Sequence, residues 1–154
     1  MNSGLVRSIA DLSNRCRSRF LRSKASSTSQ HLRRGAHGEK QASRFLRSRG
    51  YKILYRNFKG RSGGEIDIVC RDRDTLVFVE VKTRTREDFG RPFTAVDRQK
   101  RRRISRGALN WLGMLDNPDI LFRFDVVEVL VIEDASPRIE LIKNAFPLSK
   151  PYLY

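Results

Sequence analysis

With 154 residues and a formal net charge of +15, from 32 basic and 17 acidic side chains, the chain has room for one domain and a tail. Its two cysteines, Cys16 and Cys70, argue against a disulfide framework or a cysteine-rich zinc site, and no apolar run approaches the length of a membrane span. The charge favours a polyanionic partner, nucleic acid or an acidic membrane surface, and says little about fold; a cytoplasmic protein in a reducing compartment is expected.

Residues 1–34 read as a basic, Ser- and Arg-rich tail. Residues 1–36 hold eight Lys or Arg and a single acid, Asp11. Leu5, Ile9 and Leu12, then Phe20 and Leu21, would make a weak amphipathic helix, and Ser23 to Gln30 has a disordered composition. A flexible arm on a nucleic-acid backbone, an organelle transit peptide and a variable extension are the three readings of this tail. The domain proper spans 35–146. Ala36 to Arg49 is expected to be helical, with Ala42, Phe45 and Leu46 buried and Gly50 as its C-terminal stop. Tyr51 to Phe58 reads as a strand with Ile53 and Tyr55 on one face. The loop Lys59 to Gly64 follows; its glycines permit a tight turn or close approach by a substrate, and Lys59 and Arg61 suit a phosphate neighbour.

Two further strands, Glu65 to Cys70 and Leu76 to Thr83, flank a turn at Arg71–Asp74. After the polar loop Thr85 to Pro92, Thr94 to Leu115 reads as a long helix with Ile104, Ala108, Trp111, Leu112 and Leu115 as its buried stripe. Its first half carries Arg98, Lys100, Arg101, Arg102, Arg103 and Arg106. This single-sign run, with Gln99 inside it and Arg84 upstream, reads as a track for a phosphate backbone. Phe122 to Ile132 and Arg138 to Asn144 are the last strands. Phe122, Phe124 and Val126 share one face, while Arg123, Asp125, Val127, Val129 and Val131 share the other, with Arg123 and Asp125 expected to pair structurally. Residues 147–154 form a short tail. The order implies an α/β domain with a mixed central sheet of about five strands flanked by helices.

The chemistry lies in the hairpin. Alternation puts Glu65, Asp67 and Val69 on one face of the first strand and Ile66, Ile68 and Cys70 on the other. In the second, Phe78, Glu80 and Lys82 share a face, with Val77, Val79 and Val81 as an apolar stripe behind them. With an even number of residues in the turn, Glu65 is expected opposite Glu80 and Asp67 opposite Phe78, which makes Asp67 and Glu80 diagonal neighbours about 7–8 Å apart. Like charges facing each other weaken a sheet; a hard cation, which takes oxygen ligands, would remove the repulsion. Asp67 and Glu80 are therefore candidate ligands for Mg2+ or Mn2+, against the plainer reading of an exposed hairpin face. Glu39 sits at the edge of the first helix's buried stripe. It either interacts with the helix dipole or points across the sheet at these two carboxylates.

The order Glu39, then Gly64-Glu65-Ile66-Asp67, then Val79-Glu80-Val81-Lys82 resembles the PD-(D/E)XK nuclease superfamily, which has the restriction-endonuclease-like fold. The segments RRGAHGEKQA, GEIDIV, VFVEVKTR, VDRQKRRRI and RFDVV, within about residues 33–145, more closely resemble the YraN-like family of bacterial proteins. One departure is Ile66, where the superfamily pattern has proline. Archaeal Holliday-junction resolvases share the arrangement and act as dimers. The resemblance implies a metal-dependent endonuclease that hydrolyses DNA phosphodiesters, branched or junction DNA included, in a bacterial cytoplasm, with a homodimer as a corresponding expectation. Asp67, Glu80 and the carbonyl of Val81 would hold the ion, and Glu39 would reach the same or a second one. Lys82 would orient the attacking water or offset charge, and Glu65 would be a further ligand or a support behind the ligands. Lys59, Arg61, Arg84, Arg98, Gln99, Lys100, Arg102 and Arg103 would hold the DNA backbone. The rival expectation is a module that binds DNA or RNA on the same fold and cuts neither.

Overall fold

The computed structural model describes residues 30–84, 96–116 and 118–150. The expectations for residues 1–29, for the loop at 85–95 and for the chain end at 151–154 fall outside the described residues. Seven elements follow in order among those described: α1 (Gln30–Ser48), β1 (Lys52–Lys59), β2 (Glu65–Asp72), β3 (Thr75–Arg84), α2 (Arg98–Met114), β4 (Phe122–Leu130) and β5 (Arg138–Phe146).

The strands form one five-stranded sheet in the order β1-β2-β3-β4-β5. All neighbouring pairs are antiparallel except β3 and β4, which run parallel. A parallel pair needs a crossover connection, and α2 lies in it. The sheet carries a helix on each face. Ala42 and Leu46 of α1 pack with Ile68, Cys70, Val77, Val79, Val127 and Val129. Ile104, Ala108, Trp111 and Leu112 of α2 pack with Val69, Phe78, Phe124 and Val126. The mixed α/β architecture expected from the element order is what the chain adopts.

Local chemistry sets the ends of both helices. Gly50 takes φ +85°; its N–H bonds the carbonyl of Arg47, and the N–H of Tyr51 bonds that of Leu46, each at 3.0 Å. These two bonds are the closure that a left-handed residue after a helix provides. Asp97 caps α2, its side chain accepting the backbone N–H of Lys100 at 2.7 Å. The helix therefore begins at Arg98 rather than Thr94. Conversely, α1 begins at Gln30 rather than Ala36, since Gln, Leu and Arg are good helix formers.

Three expectations about faces are corrected. The β2–β3 register pairs Asp72 with Thr75 and Ile68 with Val79, so the turn is the two residues Arg73 and Asp74, not four. Arg73 supplies a positive φ of 54° for that tight turn. The register moves by two residues, and Glu65 is not opposite Glu80. In β1 a bulge between Ile53 and Tyr55 inserts an extra residue. Ile53 thus faces the α1 layer while Tyr55 turns to the α2 layer, its ring 5.7 Å from that of Trp111. Ile66, assigned by alternation to the side of Ile68, instead packs on the α2 side with Phe58. The break falls beside Asn57, whose φ of 55° twists β1 next to the Phe58–Ile66 pair. Phe45 is only half-buried, with the Arg49 guanidinium 4.6 Å from its ring centre.

Candidate functional site

The neighbouring strands β2 and β3 part company at the carboxylate end of their hairpin. Their ladder runs from Asp72–Thr75 to Ile68–Val79 and stops, while β2 stays paired to β1 as far as Glu65. Past that point the backbone N–H of Val81 is taken by a side chain instead, donating to Asp67 Oδ2 at 2.8 Å. One more step of the register would set Asp67 level with Glu80. Glu80 is 3% exposed. Lys82 Nζ lies 3.1 Å from its Oε1 and Lys100 Nζ 3.2 Å from its Oε2. The second of these contacts lacks hydrogen-bond geometry, so Oε2 is buried without a hydrogen-bond donor among the described residues. Lys100 also reaches Glu65 Oε1 at 3.0 Å, and Arg103 Nη2 reaches the same oxygen at 2.8 Å.

The charges in this cluster work on one another. Burial and then the neighbouring Glu80 charge push the Asp67 carboxyl up to about 7; Val81 N–H and Lys100 oppose the rise, and Glu39 adds to it. Glu39 on α1 therefore lies within electrostatic reach of Asp67. Burial alone would lower Lys100, but Glu80, Glu65 and Asp67 outweigh it and hold that ammonium above its usual range. Burial would raise Glu65, but Lys100, Arg103 and Lys59 hold it below the usual carboxylate range.

Two close approaches bring these parts together. A side chain at Gly38 would collide with Thr83, so its absence lets α1 pass close to the end of β3 next to Glu39. Gly64, at φ +87°, lies against the backbone of Gly107 and Arg103, which docks the start of β2 on α2 and sets Lys100 and Arg103 over Glu65.

The model of the Uncharacterised protein family UPF0102 matches residues 38–129, a span that takes in every carboxylate and lysine of the cluster. The chain belongs to this family. A UPF0102 protein of Geobacter sulfurreducens is 48% identical over 115 residues, covering 75% of this chain and 89% of that protein. Its counterpart in Nocardia farcinica is 49% identical over 112 residues, covering 73% and 87%. One from Syntrophus aciditrophicus is 46% identical over 120 residues, covering 78% and 93%. These relatives are bacterial, and no helix among the described residues is long and apolar enough to cross a membrane.

In this UPF0102 chain the expected site residues fall into two groups. Asp67, Glu80, Lys82 and Val81 converge, with Glu65 on the rim and Glu39 within electrostatic reach of Asp67. Lys100 and Arg103, expected on a phosphate track, contact carboxylates instead, Lys100 half-buried and Arg103 at the exposed rim; their spacing matched the track, and the Gly64–Gly107 contact helps set which way that helix face points. Arg84 pairs with Glu128 at 2.6 Å. Lys59 sits opposite Glu65 in the β1–β2 register, and Lys59, Arg61, Arg98, Gln99 and Arg102 are exposed.

Among the described residues no group of three His, Cys, Asp or Glu side chains forms a ready-made metal cage. Magnesium, however, is usually held by one or two carboxylates, with water and phosphate oxygens completing its shell. Asp67 and Glu80 fit that role. Both are oxygen donors, Glu80 Oε2 has no hydrogen-bond donor among the described residues although Lys100 Nζ lies 3.2 Å away, and burial, then Glu80, disfavours the anionic form of Asp67.

The other buried charge network is structural, as expected. Asp125 is fully buried and accepts from Arg123 Nε at 2.9 Å and from the backbone N–H of Asn144 at 2.9 Å. Arg123 also bonds Tyr51 Oη at 3.0 Å and Asp72 at 2.8 Å.

Proposed function

We propose that this chain is a metal-dependent endonuclease that hydrolyses DNA phosphodiesters, with the cluster at the β2–β3 fork as its active site. The observation that carries the reading is the pair of Asp67 and buried Glu80, forced together in a chain of net charge +15. Carboxylates repel phosphates, so nucleic-acid binding alone gives no reason to place them there; a cation between acid and phosphate does. Hydrolysis, as opposed to binding, is drawn from the resemblance to PD-(D/E)XK nucleases and junction resolvases.

Asp67 and Glu80 would hold Mg2+ or Mn2+, with the carbonyl of Val81 and Glu39 as further oxygen donors. The ion, when bound, would supply positive charge at the phosphate and make an attacking water more acidic. The Val81 N–H holds the Asp67 carboxylate in one orientation, so this ligand is placed before any substrate arrives. Lys82, held 3.1 Å from Glu80, would orient the water and offset charge on the phosphate oxygens. Lys100 bridges Glu80 and Glu65, screening their mutual repulsion, and lends the same pocket a second cation. Lys59, Arg61, Arg98, Gln99 and Arg102 would contact the DNA backbone, largely without reading bases.

A second reading has one observation in its favour. Lys82 and Lys100 both sit on Glu80, so its charge is already balanced by protein groups. On that reading the chain binds nucleic acid and cuts none. The test is cleavage of single-stranded, duplex, flapped and four-way-junction DNA by the full chain with magnesium or manganese, beside Glu80→Gln and Lys82→Ala. Cutting that needs metal and is lost in both variants is the expected outcome. Tight, salt-sensitive binding with no cutting by the wild type would replace the nuclease with the binding module.

A further inference from the structure

The basic run of α2 is split between two jobs. Lys100 and Arg103, three residues apart, face the carboxylates of β2 and β3. Arg98, Arg101 and Arg102, spaced three and four apart on another face, line a cavity of about 420 Å³ closed by Pro147, Leu148, Ser149 and Lys150. Among the described residues that lining holds four cationic side chains and no acid. The acid nearest in sequence, Asp97, is already committed to capping the helix through the Lys100 N–H.

Part of this lining is held in place. Arg101 Nε donates to the Val96 carbonyl at 2.8 Å, and its guanidinium lies 5.5 Å from the Phe146 ring centre. The C-terminal wall is pinned by the Ser149 N–H, which donates to the buried Ser105 Oγ at 3.1 Å. Four like charges around one concavity repel one another, and an anion placed among them relieves that repulsion.

We propose that this cavity is a binding site for a phosphate of the nucleic-acid backbone, separate from the phosphate presented to Glu80. The inference rests on the nuclease reading, since it takes the strand at the carboxylates to be the one that continues here. The helix itself sets the spacing. The two faces lie on opposite sides of α2, about one helix diameter or about 10 Å apart, so one backbone strand can reach both. The strand would wrap α2, with the scissile phosphate on one side and the anchoring phosphate on the other. Lys150 and the segment before it would form part of the DNA site, a role their position near the chain end does not announce.

The experiment measures the affinity of the full-length protein for a fluorescent duplex across a salt series without divalent metal, comparing wild type, Arg98→Ala/Arg102→Ala and Lys150→Ala. Circular dichroism melts verify that the variants fold. The double variant is expected to bind more weakly, with the slope of log affinity against log salt reduced by about 1 per lost phosphate contact. An unchanged slope, with the wild type binding well, would overturn this site and leave the nuclease reading standing. No DNA binding by the wild type would overturn both. Inorganic pyrophosphate is titrated in parallel; binding of it that depends on Arg98 and Arg102, in a protein without affinity for DNA, would overturn the backbone assignment in favour of a free anion.

Discussion

Asp67 carries the clearest consequence of the cluster. Its carboxyl rises from 3.8 to about 7 on folding, first through burial and then through Glu80. The folded state therefore holds this proton more tightly than the unfolded chain between about pH 4 and 7. By linkage, the contribution of Asp67 to stability falls as pH rises through that window, the reverse of a salt-bridged carboxylate. Asp67→Asn, which can still accept the Val81 N–H, is expected to flatten that slope and to stabilise the protein at pH 8 by about 1–2 kcal/mol. Urea midpoints at pH 4.5, 6 and 8 test this; equal slopes in wild type and variant would sink it. Magnesium should compete with the same proton, raising the melting temperature of the wild type more at pH 8 than at pH 6 and leaving Glu80→Gln unmoved. Arg123 and Asp125 form the opposite case, a fully partnered pair. Arg123→Ala strands the buried Asp125 carboxylate and should cost about 3–5 kcal/mol by chemical denaturation; a loss below about 1 kcal/mol would mean the network is dispensable.

At the scale of elements, the site depends on backbone contacts that no side chain advertises. Gly64→Ala must place a Cβ at positive φ against the backbone of Gly107, and a cost of about 2–4 kcal/mol is expected in thermal or urea unfolding. The same change should loosen Lys100 and Arg103 from Glu65, so the proposed DNA binding and cleavage should drop further than stability explains; a stable variant that binds and cuts as the wild type does would show that this docking is unnecessary. This contact also explains what the sequence could and could not say. The strands, the helices and the alternation Phe78-Glu80-Lys82 were legible because periodicity records burial, and Gly50 was legible as a stop because a helix end has a local signature. The register was not. Whether the turn at Arg71–Asp74 holds two residues or four depends on Arg73 accepting a positive φ, and shape complementarity between layers decides the faces of Tyr55 and Ile66. Lys100 looked like its neighbours in a basic run because helical spacing gives the faces but not which one meets the sheet.

At the scale of the whole molecule, one arrangement governs the rest. Only β3 and β4 pair in parallel, and the crossover between them contains α2. The β1–β2–β3 meander and the β4–β5 hairpin close over short loops, whereas the β3–β4 pairing must bring together residues more than 40 positions apart, such as Leu76 and Phe122. Closing a long loop costs more entropy before its contacts repay it. The half-site made of Asp67, Glu80 and Lys82 can thus exist in the meander early in refolding, while Lys100 arrives only when α2 docks. The single tryptophan, Trp111, keeps time for that arrival: it sits on α2 with its ring 5.1 Å from Phe58 of β1. Its fluorescence should recover in the slowest refolding phase, after the far-ultraviolet strand signal, and protection of the site should recover with it. A newly made chain would then pass through an interval in which its acidic residues are assembled with Lys82 but not yet bridged by Lys100.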